Sequence, residues 1–176
     1  FNLRGDAGRA VCGVFEDVAF DYWAREEIEG LSEAGYLEGC ASRPNRFCPE
    51  AWLSRADLAV VAEKGLHRPG FVPQESGSQE CADVPPKMPK APWITAFADD
   101  GLGEDCSSYP PAFCPELATS RIEAAVTFLR LGKGAGYVPP RAQGLFGDMP
   151  SSEWSASWAE AAYREGLIEP CQAGPE

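Results

Sequence analysis

Phe47-Cys48-Pro49-Glu50 returns as Phe113-Cys114-Pro115-Glu116, an offset of 66 residues. The same offset carries Ser54-Arg55 onto Ser120-Arg121, and Gly70-Phe71-Val72-Pro73 onto Gly136-Tyr137-Val138-Pro139. It also carries Cys40 onto Cys106 and Asp17 onto Asp83. A further copy opens at Phe146-Gly147-Asp148, at an offset of 65. All three copies share G-x-x-E-x-C, as Gly35 to Cys40, Gly101 to Cys106 and Gly166 to Cys171. Self-similarity at a fixed period marks a repeat architecture. The predicted organisation is an N-terminal segment 1–11, repeat 1 over 12–74, repeat 2 over 75–140, and the first half of a third repeat over 141–176. The second cysteine of that third copy would fall past Glu176.

Within a repeat, the apolar spacing reads as helix–loop–helix. Ala24, Ile28 and Leu31 stand at i, i+4 and i+7, one stripe of a first helix. Gly35 falls where a left-handed cap would end it. Glu38 to Leu53 is rich in Gly, Pro, Ser and Asn and reads as loop. Ser54-Arg55-Ala56-Asp57 is a capping box with Asp for Glu, so a second helix starts there, burying Leu58, Val61 and Ala62. In repeat 2, Ser120 and Glu123 form the box, and Ile122, Val126 and Leu129 the stripe. Pro73 and Pro139-Pro140 close the units as stiff linkers. Extended pieces are expected at most near Phe15–Val18. A unit this small cannot bury both helical faces alone, so neighbouring repeats are expected to share a core. Trp23, Trp93 and Trp158 are assigned to that core, while Trp52 lies in a loop and is equally suited to stacking on a sugar.

Composition narrows the function classes. The chain has 176 residues with 15 Lys+Arg against 27 Asp+Glu, a net charge of −12, which argues against a nucleic-acid partner, because phosphate binding needs a basic surface. The longest apolar runs fall well short of a membrane span. A single histidine, His67, argues against a Ser-His-Asp triad and His-based metal sites. It is read as an exposed linker residue. Seven cysteines point to an oxidising compartment. No signal peptide opens the chain, which reads as a mature form or a fragment. Cys40 with Cys48, and Cys106 with Cys114, would each close a short loop as a disulfide. The x₇ spacing without a nearby His is a poor zinc knuckle. Cys12 and Cys81 are candidates for a third bond at a repeat junction, although connectivity is not readable from sequence.

Other motifs carry little chemistry. Gly132-Lys133-Gly134-Ala135-Gly136 follows a helix, whereas a phosphate loop opens one. Asp99-Asp100-Gly101 with Glu104 and Asp105 lacks the alternate ligand positions of an EF-hand. Arg4-Gly5-Asp6 is a short terminal tripeptide. No nucleophile or acid–base pair stands out, so no enzymatic activity, cofactor or metal is expected.

The order of motifs resembles the S-layer homology (SLH) repeat, in a cysteine-bearing form found in exported bacterial proteins. The resembling residues are the openings Phe15-Glu16-Asp17-Val18, Cys81-Ala82-Asp83-Val84 and Phe146-Gly147-Asp148-Met149, and the second-helix starts Ser54-Arg55-Ala56-Asp57 and Ser120-Arg121-Ile122-Glu123. The resemblance spans about residues 12 to 171. It implies a mainly α fold in which tandem helix–loop–helix units pack as a pseudo-threefold bundle with disulfide-stapled connectors. It also implies a non-catalytic module that attaches a protein or assembly to the bacterial cell envelope by binding cell-wall polysaccharide in grooves between repeats. Arg55 and Arg121 become candidate ligand residues, with Asp17, Asp83 and Trp52 beside them and Asp148 in the third copy. The competing reading of Arg55 is that it caps loop carbonyls and holds Asp57. The competing function is an accessory scaffold subunit of an extracellular or periplasmic assembly, with Ala159, Ala162 and Tyr163 as exposed contact residues.

Overall fold

The computed structural model describes residues 13–74 and 81–171. The chain divides into two compact units, Phe1–Ala51 and Trp52–Glu176. The division falls inside repeat 1, between its connector and its second helix.

The first unit holds helix α1, Arg25–Glu33, and a hairpin of β1, Ala41–Ser42, and β2, Asn45–Arg46. Glu26 and Glu27 in the first turn of α1 suit the positive end of its dipole. Ile28 is buried with Phe15 and Val18, and Tyr22, Ala24 and Phe47 pack around them. Phe15 and Phe47 rings meet at 5.3 Å. Gly35 ends the helix at φ 83°, a conformation that costs glycine little, and Gly101 and Gly166 repeat it at 68° and 71°. Two expectations fail here. Trp23 was assigned to the core but is 86% exposed, and Leu31 turns 44% of its surface to solvent. With only nine residues, α1 covers a small cluster among the described residues of this unit.

The second unit holds α2, Arg55–Leu66, α3, Ala91–Asp99, the hairpin of β3, Ser107–Ser108, with β4, Pro111–Ala112, then α4, Arg121–Lys133, and α5, Trp154–Arg164. Helix α2 packs on α3 and α4, and α4 packs on α5. One core joins Ala56, Ala59 and Ala62 of α2 to Ile94 and Phe97 of α3, with Leu102 and Phe113. The other joins Ala125 and Leu129 of α4 to Ala161 and Ala162 of α5. The packing unit is therefore the second helix of one repeat with the first helix of the next. Corresponding contacts recur: Lys64 Nζ lies over the Trp93 ring at 5.9 Å and Arg130 Cζ over Trp158 at 5.4 Å. Phe71 and Tyr137 meet those same tryptophans edge-on, each at 5.9 Å.

This architecture corrects the expected mainly α pseudo-threefold bundle. Among the described residues, five helices make up 35% of the structure, and two small antiparallel sheets accompany them. In the second unit, α2 packs on α3 and α4, and α4 on α5. The connectors read as loop each contain a hairpin, with registers Ala41↔Arg46 and Ser107↔Ala112. Two-residue strands are too short to show alternation in sequence. Phe15–Val18, the segment expected to be extended, is a turn.

Helix starts follow the sequence. Ser54 accepts from the Asp57 amide at 3.1 Å, and Ser120 and Glu123 complete a reciprocal capping box. The next amides of α2 are satisfied from repeat 2: Arg55 N donates to Leu117 O and Ala56 N to Pro115 O, each at 3.0 Å. At the other end, Glu160, 2% exposed, accepts from the amides of Gln143, Gly144 and Leu145. Those amides hold its carboxyl below the usual range, outweighing burial. They also fix the linker into α5.

Candidate functional site

The two connectors are built alike. Asp17 Oδ1 accepts from Phe47 N and Oδ2 from Cys48 N, both at 2.8 Å. Asp83 does the same for Phe113 N at 2.8 Å and Cys114 N at 2.6 Å. The receiving cysteines sit at φ 59° and 57°, a left-handed conformation that non-glycine residues rarely adopt. The paired amides point at one carboxylate because of that turn. Burial pushes the Asp17 carboxyl up, but the Phe47 and Cys48 amides outweigh it and hold the group below its ordinary 3.8. Disulfides join Cys40 to Cys48 and Cys106 to Cys114, with Cα atoms 5.9 and 6.0 Å apart. Asp17 and Asp83 therefore hold connector backbone. Cys81 is buried, with Sγ 3.4 Å from Asp105 Oδ1. The proposed partner Cys12 lies outside the described residues.

Arg55 is 8% exposed. Its Nε donates to Phe113 O at 2.8 Å, Nη2 donates to Glu104 O, and Nη1 pairs with Glu123 Oε1. The guanidinium lies 4.8 Å from the Phe113 ring centroid. Burial pushes the Glu123 carboxyl up, while Ser120 and Arg55 together hold it below 4.5. Arg121 makes the corresponding reach into the third copy: Nη2 donates to Glu169 O at 2.6 Å and Nη1 meets Cys171 Sγ at 2.7 Å. Arg121 remains exposed. The arginine of each second-helix start thus grips the carbonyl of the Glu in the next G-x-x-E-x-C turn.

Beside Arg55 a cleft of about 230 Å³ opens in the second unit. Its lining includes Phe97, Phe113, Trp154, Trp158 and Arg130. Trp154 stands at its edge, 66% exposed. Two arginines, Arg55 and Arg130, face three carboxylates, Glu104, Asp105 and Glu123, so the cleft carries no excess of positive charge. Arg130 Nη2 pairs with Glu104 Oε1 at 2.6 Å, and its buried Nε has no hydrogen-bond acceptor. Aromatic faces with a few fixed polar groups suit a small neutral or weakly charged ring better than a polyanion.

The structure brings Arg55 to this cleft and places the other named residues elsewhere. Arg121 lies at the third-copy turn, Asp17 and Asp83 under their connectors, and Trp52 in solvent at 84% exposure. Sequence reasoning missed Trp154 and Arg130 as cleft residues. Their signal was available, since Arg130 aligns with Lys64 and Trp154 opens a helix, but neither belongs to a motif. Among the described residues, no helix is long and apolar enough to cross a membrane. No family model and no curated protein matches this chain.

Proposed function

We propose that the chain is an exported, non-catalytic attachment module of SLH-like repeats that binds cell-wall polysaccharide of the bacterial envelope. The observation that carries this reading is the cleft walled by Phe97, Phe113, Trp154 and Trp158 beside two arginines. Stacking on aromatic rings recognises the apolar faces of sugars while the polar groups fix their hydroxyls. Two stapled connectors support an oxidising compartment. The ligand portion fitting here is one sugar ring or a chain end, because the volume is below the roughly 300–1,000 Å³ of drug-sized pockets.

A sedimentation assay with purified wall polysaccharide tests the reading. Wild-type protein is retained, and Trp154→Ala, a change at an exposed ring, releases it without altering the unfolding midpoint. Absence of wild-type retention overturns it. The scaffold reading has its own support in the first unit, where Phe20 and Trp23 are 89% and 86% exposed on adjoining turns. Of its expected contact residues, Ala159 and Ala162 are corrected, at 4% and 0% exposed in the interior of the second unit, whereas Tyr163 is exposed at 40%. Light scattering of the protein mixed with envelope extract, with Trp23→Ser as the comparison, separates the two readings.

A further inference from the structure

The α2–α3 and α4–α5 pairs share their cation–ring and edge-on aromatic contacts, and among the buried positions that differ between them one places a carboxylate opposite a leucine. Leu129 of α4 is 1% exposed in its core. Its counterpart in α2 is Glu63, 0% exposed. Neither Glu63 oxygen makes a hydrogen bond of good geometry, and the His67 ring approaches one of them only as a long contact. A carboxylate at a leucine position without a donor is costly to the fold. His67 Nε2, one turn along α2, lies 3.4 Å from Glu63 Oε2. The same Nε2 lies 3.0 Å from Asp100 Oδ2, at the end of α3. In the sister pair the corresponding groups are Lys133 and Glu165, an ordinary ion pair at 2.9 Å. Repeat 1 therefore replaces a lysine and a leucine with a histidine and a glutamate that converge on one point.

One ligand atom from each of Glu63, His67 and Asp100 lies within 4.8 Å of the other two. Nitrogen and oxygen ligands sit about 2.0–2.1 Å from zinc, so the edges of its coordination shell measure roughly 2.9 Å in an octahedron and 3.4 Å in a tetrahedron. The two contacts at Nε2, 3.0 and 3.4 Å, are of this size, and the Glu63 and Asp100 oxygens lie within 4.8 Å of each other, so small side-chain adjustments would close the shell. Phe71 stacks on the imidazole with centroids 4.1 Å apart and fixes its orientation. The His67 and Asp100 side chains keep 37% and 36% of their surface, an entry path and room for water ligands, whereas Glu63 closes the site from within.

We propose that Glu63, His67 and Asp100 bind one divalent transition-metal ion of the zinc class, which clasps the C-terminal ends of α2 and α3. An imidazole with two carboxylates favours such an ion over calcium or magnesium, which take oxygen ligands throughout. The two carboxylates balance its charge. The role is structural and independent of glycan binding. The spacing Glu63-x₃-His67 was visible in the sequence, but the third ligand comes from the next repeat.

The test is calorimetric titration of the full chain, stripped with EDTA, with zinc chloride, and with calcium chloride in parallel. Expected are one zinc equivalent, no saturable calcium binding, and a higher unfolding temperature with zinc. His67→Gln and Asp100→Asn, at partly exposed positions, weaken zinc binding at least by the 10–100-fold that outer-shell losses cost. Glu63→Leu restores the sister residue, so it folds, and it loses the zinc-dependent stabilisation. Lys133→Ala leaves zinc binding unchanged. Equal zinc binding by wild type and Glu63→Leu, or no saturable binding up to millimolar zinc, overturns the proposal. Calcium binding in place of zinc overturns the choice of metal class.

Discussion

Arg55→Ala and Arg121→Ala remove the same motif residue from two copies, and the structure requires unequal outcomes. Arg55 is buried and serves Phe113 O, Glu104 O and the Glu123 carboxylate together. Truncation leaves these acceptors without their donor. Breaking a buried pair by removing one partner costs about 3–5 kcal/mol. Glu123 keeps 32% of its side-chain surface, so water relieves part of that penalty and the lower end, about 3 kcal/mol, applies. Arg121 is exposed, and such contacts contribute about 0–1 kcal/mol. The assay is urea unfolding followed by tryptophan fluorescence. With a slope of about 2 kcal/mol per molar urea, Arg55→Ala lowers the midpoint by about 1.5 M and Arg121→Ala by at most about 0.5 M. Arg55→Lys recovers little, because an ammonium cannot form the three-way planar contact. Equal midpoints for the two alanine variants refute the reasoning. So does a loss of polysaccharide retention by Arg55→Ala with stability unchanged, which assigns the guanidinium to a ligand.

Gly103→Ala places a Cβ 1.9 Å from the Phe97 ring and destabilises the second unit by at least about 2 kcal/mol, visible as a lower thermal midpoint. Removing the Cys106–Cys114 bond by Cys106→Ser with Cys114→Ser releases a short loop whose closure contributes about 2.5 kcal/mol on the chain-entropy model, measured against wild type without reductant. Glu63, raised from 4.5 to about 7, favours its neutral form in the fold. Stability that is full below pH 4.5 is lost as pH rises through 7, because the unfolded chain ionises first. In EDTA, raising pH from 5 to 8 thus destabilises wild type by up to about 2.5 kcal/mol but leaves Glu63→Leu level in urea midpoint. A flat wild-type profile contradicts the assigned burial of Glu63.

The 66-residue period, both short disulfides and both serine caps were legible because each depends on residues close in sequence. Ser54 reaches Asp57, and Cys40 lies eight residues from Cys48. The hairpins were not legible, since Ala41–Ser42 and Asn45–Arg46 are too short for alternation. Nor was the fate of Trp23. A helical stripe states which face is apolar, but not whether anything covers it. The candidate site was readable only at Arg55, because Trp154 and Arg130 reach the cleft through the fold.

The mismatch between the repeated sequence unit and the packing unit explains why the motif residues cluster where they do. A helix pair drawn from two successive repeats must be held in register by groups that cross the repeat boundary. Arg55 spans it from α2 to the Glu104 turn, the amides of Arg55 and Ala56 meet the Pro115–Leu117 carbonyls, and His67 reaches Asp100. Arg121 spans the next boundary to Glu169, and Lys133 to Glu165. The shared motif thus encodes the junction more than the unit. Residues common to both junctions are structural by this logic, since each repeat must close onto its neighbour. Residues that differ between two otherwise matching junctions are free to carry function. That criterion separates Arg55 and Arg121, which recur in role, from Glu63 and His67, which stand where the next junction has a leucine and a lysine. It directs the first experiments to Glu63 and Trp154 ahead of the motif arginines.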